Sequence, residues 1–91
     1  MKPIELREKI VIVTGASQGI GAGLVQAFRG RGYRVVANSR SIKASEDAGL
    51  LAIAGDISRP ETAKQLVQEG LERFGRIDSL VNNAGIFIGK G

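Results

Sequence analysis

A β-branched run, Ile10, Val11, Ile12 and Val13, opens the patterned part of the chain and ends at Thr14-Gly15. Four consecutive apolar residues without alternation predict a parallel strand buried on both faces. From Ile20 the spacing turns helical: Ile20, Leu24, Ala27 and Phe28 recur at helix intervals, and Gly30 and Gly32 bracket the end of the segment. A second strand is predicted over Arg34 to Asn38, around Val35-Val36-Ala37, and a third over Leu50 to Ala54. Between them Ser39 to Gly49 is polar and leaves room for only a brief helix. The fullest helix signature follows. Ser58 as N-cap, Pro60 in the first turn and Glu61 three residues after the cap predict a capping box. Ala63, Leu66, Val67, Gly70, Leu71 and Phe74 then fall on one apolar stripe that stops at Gly75. Ser79 to Asn82 predicts a fourth strand, and apolar Ile86-Phe87-Ile88 precedes the terminal Gly89-Lys90-Gly91.

Strands alternating with helices through short links imply right-handed crossovers and a parallel sheet with helices on both faces. The expected class is therefore α/β, a partial Rossmann fold with a parallel sheet of about four strands, roughly half of a doubly wound domain. Ninety-one residues allow one domain at most, and 43% hydrophobic with 24% charged residues is a globular composition. Thirteen Lys and Arg against nine Asp and Glu give a net charge of +4, which admits nucleic acid, a membrane surface or a small anionic ligand as partner. The cations are scattered without a run, and 4% aromatic residues leave little for base stacking, so nucleic acid is not expected. With no Cys and no His, disulfides, thiolate nucleophiles, sulfur-ligated zinc and imidazole catalysis are all excluded, and no metal site is expected. The N-terminus is polar, and no apolar run approaches the roughly 18 residues of a membrane helix. A soluble, cytoplasmic protein with no membrane partner is the expectation.

Gly15-x-x-x-Gly19-x-Gly21 lies between the first strand and its helix. Glycines here let the backbone turn sharply, approach a pyrophosphate and pack the helix closely on the strand, while the helix N-terminus offers N–H groups and a positive dipole end. An ordinary glycine-rich strand-to-helix turn would carry the same spacing.

Thr14-Gly15-Ala16-Ser17-Gln18-Gly19-Ile20-Gly21, taken with Asn82-Asn83-Ala84-Gly85, resembles the TGxxxGxG and NNAG marks of the short-chain dehydrogenase/reductase family. The resemblance runs from about Lys9 to Ile88 and implies the N-terminal, dinucleotide-binding portion of a Rossmann domain over residues 1–91. In the family the first motif, here Gly15, Ser17, Gln18, Gly19, Ile20 and Gly21, cradles the cofactor phosphates. The end of the second strand selects the cofactor: NAD-dependent members tend to carry an acid there, whereas this chain has Ser39 followed by Arg40. A hydroxyl and a guanidinium suit a 2′-phosphate, so NADP(H) is expected ahead of NAD(H). Gln18 departs from this, standing where many NADP-dependent members place a basic residue, and Arg40 could equally be a solvated loop cation. Asp56, with Ile57 beside it, matches the family's adenine-binding position, or else caps a turn ahead of Ser58. Asn82 and Asn83 match the pair that ties the fourth strand to its neighbours and faces the ribose, with Ala84 and Gly85 leaving room for the cofactor.

The family's catalytic Asn, Ser and Tyr-x-x-x-Lys have no counterpart here, so no catalytic residue is assigned. The one tyrosine, Tyr33, is followed four residues later by Ala37. The resemblance thus implies the NADP(H)-binding part of an oxidoreductase that transfers hydride between nicotinamide and a carbonyl or alcohol, with the catalytic half lying beyond Gly91. The alternative is a catalytically inactive remnant serving as a nucleotide-binding or interaction module. An unpaired fourth strand with Leu80 and Val81 would be an exposed apolar edge. The 91-residue chain is therefore expected to be poorly soluble or to need a partner, either another copy of itself or a complementing catalytic half.

Overall fold

The computed structural model describes residues 9–17 and 19–83. Strand β1 (Ile10–Thr14) leads into helix α1 (Gly19–Gly30), followed by β2 (Arg34–Ser39), β3 (Leu50–Ala54), helix α2 (Pro60–Phe74) and β4 (Ser79–Asn82). The four strands form one parallel sheet in the order β3-β2-β1-β4. β1 lies at the centre, which is why all five of its residues are buried.

Alternation along the strands divides the core into two layers. Val11, Val13, Val35 and Ala37 point to one face, where Ala16 and Val25 join them and Leu24 and Phe28 of α1 pack alongside. Ile10, Ile12, Val36 and Ile53 point to the other, beneath Leu66, with Phe74 and Ile77 at the margin. The helices thus cover opposite faces, as the strand-helix alternation predicted. Gly70 brings α2 down onto β2, since a Cβ there would lie 3.1 Å from Val36 Cγ2. Opposite the carboxyl rim of the sheet, Arg29 clamps the 39–49 connection. Its guanidinium donates to both carboxylate oxygens of Asp47 at 2.8 Å and to the Tyr33 carbonyl at 2.7 Å.

Three local expectations need correction. The capping box is absent. Pro60 occupies the first helical turn and forces the residue before it into extended backbone, so Arg59 (φ −95°, ψ 133°) becomes the N-cap without a side-chain cap. Ser58 falls outside the helix, and its hydroxyl donates to Asp56 Oδ1 at 2.7 Å. Glu61 still favours the helix through its charge in the first turn. The apolar stripe of α2 is also only partly covered: Leu66 and Gly70 are buried, whereas Val67 and Leu71 are each 45% exposed. Finally, β2 runs one residue further than predicted, to Ser39, and the connection after it contains turns and no helix. At the β4 edge Leu80 is 61% exposed, as expected, while Val81 is half-buried against the α1-side core. Ile86, Phe87 and Ile88 lie outside the described residues.

Candidate functional site

Parallel pairing brings the carboxyl ends of all four strands to one rim. Thr14 stands level with Asn38 and with Asn82, and Ser39 with Ala54. Residues far apart in the chain therefore converge where ligands enter open α/β sheets. Here a cleft of about 330 Å³ is walled by Gly15 and Ser17 from the β1–α1 turn, Asn38 to Ser41 from the end of β2, and Gly55 to Ser58 from the end of β3.

The β1–α1 turn is built by close approach. Gly15 has φ of +64°, and a Cβ on Gly21 would lie 1.8 Å from the Gly15 carbonyl oxygen and 2.7 Å from Asn83 Nδ2. Only hydrogen fits at residue 21, so α1 starts directly against the turn. Asn83 Nδ2 donates to that same Gly15 carbonyl at 3.2 Å, and Thr14 Oγ1 donates to Asn82 Oδ1 at 2.9 Å. The two asparagines thus tie β4 to β1, as their motif predicted. The first turn of α1 contains no acidic residue, and Ile20 is 76% exposed at its start.

Opposite the turn stand two further walls. Ser39 Oγ accepts from the Ser41 N–H at 3.3 Å, and the Ser39 carbonyl accepts from the Gly55 N–H at 3.1 Å. Asp56 Oδ1 accepts from both the N–H and the hydroxyl of Ser58. Those bonds, hydroxyl first, hold its carboxyl below the usual carboxylate range, with the charges of Arg40 and Arg59 adding to the effect. Asp56 therefore caps a turn and lines the cleft at once. Its Oδ2 accepts no hydrogen bond among the described residues.

Of the residues singled out in the sequence, Gly15, Ser17, Ser39, Arg40, Asp56 and Ile57 line the cleft. Gly19, Ile20 and Gly21 form the first turn of α1, and Asn82 and Asn83 brace the turn from β4. Gln18, Ala84 and Gly85 lie outside the described residues. Sequence reasoning missed Asn38, Ser41, Gly55 and Ser58 as cleft residues. For Asn38 a signal was present: asparagine is depleted in strands, and this one directly follows an apolar run. Tyr33 packs on Phe28, ring centroids 4.9 Å apart, just before β2 and so at the opposite end of the sheet from the cleft. Among the described residues no cluster of acidic side chains could hold a metal ion, and no helix is long and apolar enough to cross a membrane.

A parallel sheet with a glycine turn and a polar cleft at its carboxyl rim is the architecture of a dinucleotide-binding α/β module. The chain belongs to the short-chain dehydrogenase family, whose family model matches residues 9–91. It is 39% identical over 93 residues to an uncharacterized oxidoreductase of Methylorubrum extorquens, covering 91% of this chain and 38% of that protein. It is 45% identical over 83 residues to the L-fucose dehydrogenase of Bos taurus, covering 85% of this chain and 30% of that one. A crystal structure of a short-chain dehydrogenase from Bacillus anthracis superposes with a TM-score of 0.75 at 32% identity, over 86% of this chain and 35% of that one. The chain thus spans about a third of the length of these relatives. Its family is one of oxidoreductases that bind a nicotinamide dinucleotide.

Proposed function

We propose that this chain forms the adenosine- and pyrophosphate-binding part of a cytoplasmic, NADP(H)-dependent oxidoreductase that moves hydride between the nicotinamide and a carbonyl or alcohol carbon. One observation carries the reading: a single cleft is lined by the glycine turn, the Ser39-Arg40 pair and the Asp56-Ile57 pair together. The donor set suits that ligand. The acid-free first turn of α1 offers N–H groups and a positive dipole end to the pyrophosphate. The absence of a side chain at Gly21 keeps that turn tight against β1. Arg40 presents a planar fork to a 2′-phosphate, and Ser39 adds a hydroxyl where a carboxylate would repel the anion. Asp56, kept ionised by Ser58, has Oδ2 free to accept from the adenine amino group.

The bound nicotinamide supplies or accepts the hydride. Tyr33 lacks a lysine four residues on and lies at the opposite end of the sheet from the cleft, so it is not assigned as the donor of the carbonyl proton. The name of the bovine relative, an L-fucose dehydrogenase, supports an alcohol carbon as hydride donor.

Titration with NADPH and NADH tests the proposal. NADPH is expected to bind about tenfold or more tightly, the worth of one charge-assisted contact to phosphate, and Arg40→Ala should remove most of that difference. Equal affinity for the two cofactors in the parent chain would overturn the NADP(H) assignment, and failure to bind either would overturn the cofactor role itself.

A further inference from the structure

Asn38 is 1% exposed near the end of β2, paired with Thr14 on one side and Ile53 on the other, and its side chain adds hydrogen bonds beyond that strand pairing. Its Nδ2 donates to the Ile53 carbonyl at 2.9 Å and to the Gly55 carbonyl at 3.2 Å. Its own carbonyl accepts from the Ala16 N–H at 2.9 Å. One residue therefore touches all three walls of the cleft: the glycine turn through its main chain, the β3 end through its amide, and the β2 end because Ser39 and Arg40 follow it directly. On its far side, Gly55 is backed by Thr62, whose Cγ2 would stand 3.0 Å from a Cβ placed there. The β3 end is thus held between α2 and the Asn38 amide.

We propose that Asn38 is a positioning residue for the cofactor cleft, fixing the separation between Ser39-Arg40 and Asp56-Ile57 through its amide bonds to the end of β3. The inference rests on the cofactor reading above. Two parallel strands diverge once their pairing ends, and a gap that must admit an adenosine yet keep both walls in contact with it needs a cross-tie at that point. The amide nitrogen suits the task because both of its neighbours are carbonyl acceptors. A carboxylate in its place would face those oxygens with no proton to donate, and burial beside two carbonyls would raise its pKa.

That difference supplies the test. In the purified full chain, Asn38→Asp should bind NADP+ about tenfold more weakly than the parent at about pH 8, the loss of one buried donor. The gap should close to within about threefold near pH 5, where the introduced carboxyl holds a proton and its one O–H restores one of the two donated bonds. The parent, titrated in parallel, corrects for protonation of the 2′-phosphate. Asn38→Leu, similar in shape and without a donor, should lose about tenfold in affinity at both pH values and show no recovery in acid. Parent-like binding by either variant at pH 8, or a deficit in Asn38→Asp that acid leaves unchanged, overturns the positioning role alone. A parent chain that binds no dinucleotide overturns this inference together with the cofactor reading.

Discussion

Replacing Gly21 with Ala is the most direct challenge to the geometry of the β1–α1 turn. The added Cβ would stand 1.8 Å from the Gly15 carbonyl oxygen and 2.7 Å from the Gly15 carbonyl carbon, against 3.4 Å or more for ordinary contact. Both neighbours are backbone, so no rotamer change relieves the clash, and the turn must move off the helix. Overpacking of this kind costs about 1–3 kcal/mol, with a rigid backbone obstacle at the upper end. Displacing Gly15 also breaks its bond from Asn83, worth about 1 kcal/mol. Alanine returns about 1 kcal/mol through its helix propensity. The net loss is about 2–3 kcal/mol, and at roughly 4–8 °C per kcal/mol for a domain of this size the midpoint should fall by about 8–24 °C.

Gly23 supplies the control. It lies two residues further along the same helix, is exposed, and has nothing within 4 Å of where its Cβ would be. Gly23→Ala therefore gains the propensity term alone, about 1 kcal/mol, and should raise the midpoint by about 4–8 °C. The same chemical change should thus act with opposite sign at positions two residues apart. Thermal unfolding followed by circular dichroism reads both variants. A Gly21→Ala protein that melts at or above the parent would refute the close approach, and with it the role of this glycine in shaping the β1–α1 turn.

Two further outcomes follow from the core and from the charge clamp. Leu66 is 2% exposed on the sheet-facing side of α2, so Leu66→Ala should cost about 2–5 kcal/mol, read as a lower urea midpoint at unchanged slope. The Arg29 guanidinium, helped by the Gly49 N–H, lowers the Asp47 carboxyl from 3.8 to about 2. A carboxyl depressed in the folded state stabilises above its unfolded value and loses that contribution as pH falls, here between 3.8 and about 2. Asp47→Asn should therefore flatten the acid limb of the stability curve in that window, and an unchanged limb would show that the clamp contributes nothing.

The strands were legible in the sequence because their burial is nearly complete. Ile10 to Val13 and Val35 to Ala37 lie between two helical layers, so both faces select apolar residues and no alternation hides the run. The start of α2 was misread for a local reason: Ser58 and Pro60 each signal a helix N-terminus, but proline acts sterically on Arg59 and moves the cap one residue inward. The stripe on α2 shows a different limit. Periodicity states which side chains share a face, and Val67 and Leu71 do share one with Leu66, yet only neighbours in space decide whether that face is covered.

The site divides along a similar line. Gly15, Ser39, Arg40 and Asp56 could be picked out from the sequence because the family motifs they match stand at or just after strand ends, and parallel topology carries every strand end to the same rim. What linear order conceals is how those ends are fastened to one another. The Ala16 N–H meets Asn38, the Asn38 amide meets Ile53 and Gly55, and the Asn83 amide meets Gly15, across chain separations that no spacing rule connects. Reach toward a ligand is a property of a residue type at a strand end. Separation between two walls of a cleft is a property of the cross-ties, and the asparagine after the Val35-Val36-Ala37 run marks an unusual residue in the sequence without saying which wall it fastens.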